Sequence, residues 1–161
     1  MRIEFLKEHP EFIDELSELS YRQWGAVHPE LTEADWKERL LARANGRKIP
    51  TTLVAVEDGQ LLGSAAVLKE DMQTRPAFSP WLGSVYVKEE HRGRGIGRAL
   101  VAAAEKLAGE MGVLTLYLHT VDKQRFYRQL GWKVLEKTSY QGFDVTIMVK
   151  NISVKQRRGF S

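Results

Sequence analysis

The sequence contains no cysteine. That absence removes a disulfide framework, a thiolate nucleophile and any thiolate-ligated zinc or iron–sulfur centre. Proline is sparse, at five in 161 residues, and no run approaches 18 uncharged apolar residues, so a membrane-spanning helix is not expected. Glu4, Glu8, Pro10 and Glu11 interrupt the first twelve residues, so a secretion signal is not expected either. The expected setting is a reducing cytoplasm. Charge of one sign is also scarce. The formal net charge is +3, and Lys155, Arg157 and Arg158 near the end of the chain account for all of it. The pI near 9.2 therefore reports a basic tail, residues 151–161, on a neutral body. A nucleic-acid-binding domain carries its basic charge across a face of the fold, so nucleic acid is not an expected partner.

What is present is ordinary globular usage, 43% hydrophobic and 28% charged, at a length that fits one domain over residues 1–150. Ile3 and Phe5 alternate as in a short strand. Phe12, Leu16 and Leu19 recur at helical spacing from Glu11 to about Tyr21. Thr32 and Asp35 form a capping-box start for a second helix, with Trp36, Leu40 and Ala44 on one face and Asn45-Gly46 as its stop. The stretches 51–56 and 61–68, joined by Asp58-Gly59, read as a hairpin. A loop over 69–80 precedes a strand from Trp81 to Val87. A helix from Gly95 to Met111 follows, with Ile96, Leu100, Ala103, Leu107 and Met111 in one stripe and Arg98 and Glu105 expected opposite it. The next strand, Leu114 to Thr120, completes a right-handed βαβ unit with its two strands parallel. A short helix over 124–130 and two strands, 132–139 and 143–149, hinged at Gln141-Gly142, end the reading. The expected class is a mixed α/β sheet, mostly antiparallel, with one parallel pair and flanking helices.

Between Val87 and the long helix lies Arg92-Gly93-Arg94-Gly95-Ile96-Gly97-Arg98. Glycines let backbone approach a ligand closely, and the unpaired N–H groups and dipole of a helix start suit an anion such as phosphate. No Gly-Lys-Ser/Thr follows, so the loop is not a Walker A motif, and its glycine spacing is not that of a dinucleotide fingerprint.

Arg92, Gly95 and Gly97 match the signature Arg/Gln-x-x-Gly-x-Gly/Ala of the GNAT superfamily of N-acetyltransferases, which the chain resembles over essentially residues 1–150. Phe126-Tyr127, followed by Gly131-Trp132, matches a second family signature about 30 residues on. Thr120 and Lys123 stand where relatives usually carry Asn and Ala. The resemblance implies acetyl-CoA as cosubstrate, lying in a V-shaped gap between the fourth and fifth strands, with no metal. Its pyrophosphate would rest on the backbone of Arg92, Gly93, Arg94, Gly95, Ile96, Gly97 and Arg98. The pantetheine arm would lie along Val85, Tyr86 and Val87, with Thr120 and Phe126 also at the cofactor. Tyr127 would be the general acid at the departing sulfur. Trp24, His28 and Ser84 would contribute to the acceptor pocket, and dimers occur among relatives.

The general base is read from strand alternation. Leu114, Leu116 and Leu118 share one face, which leaves His119 on the other near the strand's carboxyl end, where open α/β sheets bind ligands. Ser84, Tyr86, Glu70 and Asp71 compete for that role. Without a cysteine to carry the acetyl group, direct transfer to a primary amine, small or peptidic, is the expected reaction. A non-catalytic CoA-binding regulatory module is the alternative.

Overall fold

The structure, a computed structural model, describes residues 1–152. The tail expected at residues 151–161 therefore lies almost entirely outside the described residues. Seven strands form one sheet: β1 (Arg2–Phe5), β2 (Thr51–Glu57), β3 (Gln60–Leu68), β4 (Trp81–Val87), β5 (Thr115–Thr120), β6 (Lys133–Tyr140) and β7 (Phe143–Asn151), in the order β1-β2-β3-β4-β5-β7-β6. The helices are α1 (Ile13–Trp24), α2 (Glu33–Ala42), α3 (Ile96–Glu110) and α4 (Gln124–Gln129). Among the described residues, only β4 and β5 run parallel. This is the mixed, mostly antiparallel class expected from the sequence.

Local chemistry accounts for the element ends. Thr32 accepts from the Asp35 backbone N–H at 3.2 Å while the Asp35 carboxylate accepts from the Thr32 N–H at 2.8 Å, closing the capping box that starts α2. Asp58-Gly59 and Gln141-Gly142 both take positive φ at each residue, the geometry that matches the twist of a two-residue hairpin.

The sheet is covered on both faces. In β2, Leu53 and Ala55 join the cluster under α3, whereas Val54 and Val56 pack with Leu16 of α1 and Leu40 of α2. Period-two alternation thus feeds two apolar layers from one strand, and each fully buried Leu or Val contributes roughly 1.5–3 kcal/mol.

Two sequence expectations are corrected here. Leu114 does not share the buried face of Leu116 and Leu118; it precedes β5 and is 64% exposed. Glu105 is not on the solvent face of α3 but 3% exposed, with its carboxylate accepting from Lys150 Nζ at 2.6 Å and Trp132 Nε1 at 3.2 Å. Helical spacing counts positions on α3 and is blind to the tail of β7, which brings a cation over that face.

Candidate active site

The site begins with a failure of pairing. β4 and β5 share one ladder position, Trp81 opposite Tyr117, and beyond it the two strands part. A bulge in β4 contributes to the divergence. Ser64 pairs with Tyr86 and Ala66 with Gly83, so Ser84 and Val85 together face one residue of β3. Ser84 sits at φ 51, a left-handed conformation that costs a non-glycine residue of order 1–3 kcal/mol. Such a bulge bends its strand and leaves backbone groups off the ladder. The result is a cleft of about 750 Å³.

That cleft brings together Tyr127, His119, Thr120, Val85 and the expected acceptor residues Trp24, His28 and Ser84. Tyr127, on α4, is 8% exposed, with its ring edge-on to Phe126 and Trp132. Burial pushes its phenol up to about 12, so the hydroxyl keeps its proton at any physiological pH.

His119, near the end of β5, places Nε2 3.1 Å from Asp71 Oδ2 and lies edge-on to Trp81 and Tyr140. Asp71 belongs to the 69–80 loop, which is fastened just after it. Met72 is buried, and Arg75 reaches β6 with a two-pronged bond to Glu136, at 2.9 and 2.6 Å. A Cβ added at Gly83 would stand 3.1 Å from Asp71 Oδ2 and 2.8 Å from Leu68 Cδ1, so the glycine makes room for the carboxylate that holds His119. Of the competing bases, Glu70 is an exposed cleft residue and Asp71 is the histidine's partner.

The glycine loop adjoins this cleft without lining it. Gly95 is the N-cap of α3 at φ 79, and no side chain caps that helix. Among the described residues no hydrogen bond uses the backbone N–H groups of Gly93 through Arg98. A Cβ at Gly93 or Gly95 would meet nothing within 4 Å, so the loop's outer side is open. An unsatisfied helix start with open space beside it fits a diphosphate.

Two arginine side chains of the loop are turned toward the protein. Arg92 donates from Nε to the Val87 carbonyl at 2.9 Å, with its guanidinium 5.7 Å from the Tyr86 ring centre, and so ties the loop to the end of β4. Arg94 pairs with Glu57 at 2.8 Å. Ile96 is buried under the sheet, Arg98 is exposed, and Phe126 stands beside Gly97. Thr120 accepts the Lys123 N–H at 3.0 Å, stabilising the turn into α4.

Sequence reasoning missed two features. Asp71 and His119 are far apart in the chain, and no local spacing encodes their pairing. Arg39 and Arg43 also line the cleft, and their separation by four residues on α2 was the available signal. Burial, then Arg39, holds the Arg43 guanidinium below the usual arginine range, with Asp71 opposing.

Comparison with known proteins agrees with this geometry. The model of the acetyltransferase (GNAT) family matches residues 13–132. An uncharacterized N-acetyltransferase of Chlorobaculum tepidum is 33% identical over 84 residues, which are 52% of this chain and 50% of that protein. The chain thus matches about half the length of this curated relative. Among solved structures, aminoglycoside 6'-acetyltransferase type Ii superposes with a TM-score of 0.76 at 23% identity, covering 95% of this chain and 98% of that one. An aminoglycoside 6'-N-acetyltransferase complexed with coenzyme A gives 0.74 at 20%, with the same coverage. A Salmonella typhimurium protein solved with its cofactor acetyl-CoA gives 0.71 at 19%, covering 95% and 94%. With three quarters of its length under the family model and the parted β4–β5 pair in place, the chain belongs to the acetyltransferase (GNAT) family.

Proposed function

We propose that this enzyme transfers an acetyl group from acetyl-CoA directly to a primary amine, within a complex that holds both substrates. The observation that carries the reading is the opening between β4 and β5, with unpaired loop amides at one end and Tyr127 and the His119–Asp71 pair in its cleft. When bound, acetyl-CoA supplies an acyl group already activated as a thioester. The backbone N–H groups from Gly93 to Arg98 would hold its diphosphate, the Arg92 N–H being donated to the Glu89 carbonyl, and the free edge of β4 from Val85 to Val87 would hold its arm as an added strand.

Only a neutral amine attacks. A lysine-type amine is neutral in roughly one molecule in a few thousand at pH 7, and an α-amine in roughly one in seven. His119 removes the excess proton, while Asp71 fixes the ring and stabilises the imidazolium that forms. The new C–N bond forms as the C–S bond breaks, and the electron pair leaves on sulfur. With a phenol near 12 against about 8.5 for a thiol, complete transfer from Tyr127 to sulfur is uphill by several powers of ten. Tyr127 therefore acts chiefly by donating a hydrogen bond to the developing thiolate. The balance is one amide, one free thiol and, from an ammonium substrate, one proton to solvent.

The test is free-thiol release from acetyl-CoA over a panel of amines, with Tyr127→Phe beside the wild type. The variant should lose roughly a hundredfold or more in kcat, with acetyl-CoA affinity changed less than about threefold. A variant with wild-type turnover would remove Tyr127 from the reaction. Tight acetyl-CoA binding without thiol release on any amine would favour a non-catalytic CoA-binding module.

A further inference from the structure

The steps above leave the α2 side of the cleft without a task. Trp36, Arg39 and Arg43 line it with the spacing of one helix face. Elsewhere among the described residues, Arg22, Arg47, Arg75 and Arg94 each hold a carboxylate at 2.5–2.8 Å, and the arginines without one, Arg92, Arg98, Arg125 and Arg128, are exposed. Arg39 and Arg43 have no acidic partner within 4.0 Å among the described residues. Arg43 makes a single long bond, 3.4 Å from Nη1 to Ser84 Oγ, and Arg39 lies 5.0 Å over the Trp36 ring. The Trp36 indole N–H is itself buried with no acceptor. One wall therefore carries two guanidinium groups, neither paired with an anion, over a buried indole N–H without an acceptor.

The carboxylates of the cleft answer this wall only in part. Asp71 favours the charged Arg43 without pairing with it, being held by His119 at 3.1 Å, and Glu30 stands 3.4 Å from His28. Glu70 and Asp122 are exposed, where water and salt screen them. Two like charges one turn apart repel, and partial burial of Arg43 sharpens the effect. An anion between them relieves both.

We infer that the acceptor is an amine that also carries a carboxylate, gripped by Arg39 and Arg43 while its amino group reaches His119. The inference rests on the acetyl-transfer reading above and names the substrate class for that same site. A guanidinium fork binds a carboxylate through parallel N–H bonds, which orients the acceptor as well as attracting it. A polycation would meet the same wall with repulsion.

The test uses the full chain, acetyl-CoA and matched acceptors: free amino acids against their amides, short peptides with acidic against basic side chains, and polyamines. The carboxylate-bearing member of each pair should have a kcat/KM about tenfold to a hundredfold higher, mostly through KM. Arg43→Gln should bring that ratio toward one, with Arg39→Gln intermediate, while melting temperature and calorimetric acetyl-CoA affinity stay near wild type. A preference for free amino acids over acidic peptides places the carboxylate on a small molecule, and the reverse places it on a peptide. An unchanged ratio in Arg43→Gln, or faster turnover of amides and polyamines, overturns the inference and leaves acetyl transfer standing. If acetyl-CoA binds but no acceptor turns over, the same pairs are titrated against CoA-loaded protein. Tenfold tighter binding of the carboxylate member supports the inference, and equal binding overturns it. A protein that does not bind acetyl-CoA at all refutes the acetyl-transfer reading itself, and the inference falls with it.

Discussion

His119 and Asp71 illustrate how a single contact makes a strand position a candidate for a chemical role. A histidine at the carboxyl end of a strand is ordinary; one whose Nε2 lies 3.1 Å from a carboxylate, in a loop fastened by Met72 and Arg75, has its orientation set before substrate arrives. His119→Gln should lower kcat/KM about a hundredfold at neutral pH, and Asp71→Asn somewhat less. Both deficits should shrink as pH rises, because an alkaline medium deprotonates the amine without help. A pH–rate profile checks this, and a deficit equal at every pH would assign the pair a structural role only. Tyr127 carries its own sign. Its folded value of about 12 lies above the value near 10 of an unfolded tyrosine, so its contribution to stability is complete below pH 10 and lost as pH rises through 12. The places of His119 and Tyr127 in the cleft, though not their roles, were legible in the sequence because alternation and a short aromatic motif are local patterns. Asp71 was legible only as one competitor among several, since its meaning lies in a contact that the chain's fold creates.

At the scale of elements, α3 shows why periodicity reads existence better than environment. Its span was expected to within a residue at each end, yet Glu105 was assigned to solvent and lies in the core side of the helix, bonded to Lys150 and Trp132. A buried carboxylate whose partners come from β7 and from the turn after α4 fastens three elements that meet behind the site. Glu105→Ala should destabilise the fold by about 2 kcal/mol, reduced from the cost of a wholly buried pair because Lys150 is 21% exposed. The melting temperature should fall by roughly 4–8 °C. Glu105→Gln, which keeps hydrogen-bonding capacity, should lose less. A thermal melt of the two variants checks the order, and equal losses would mean that the carboxylate's charge alone, not its hydrogen bonds or packing, holds the corner. The β4 bulge is the counterpart that sequence patterns could not show. The run Trp81 to Val87 reads as an uninterrupted strand, and the positive φ at Ser84 arises from its register against β3.

For the whole molecule, the order of elements fixed the class, and the class fixed where a gap would open. One parallel pair inside an antiparallel sheet places the end of β4, the start of α3 and the end of β5 on one side, so in the proposed reading loop amides and cleft residues serve one elongated ligand. What the sequence did not supply was the place of Arg39 and Arg43 in the cleft, which depends on how the end of α2 meets β4 at Ser84. No helix of the described residues is long and apolar enough to cross a membrane, in keeping with the absence of long apolar runs. The central claim is that acetyl-CoA lies in the β4–β5 gap with its diphosphate on the amides that open α3. The most direct measurement is an amide chemical-shift titration of nitrogen-15-labelled protein with acetyl-CoA. The account predicts that the largest shifts fall on Gly93 to Arg98 and on Val85 to Val87, with saturation. Saturating shifts confined to another surface, or none at all, would contradict it.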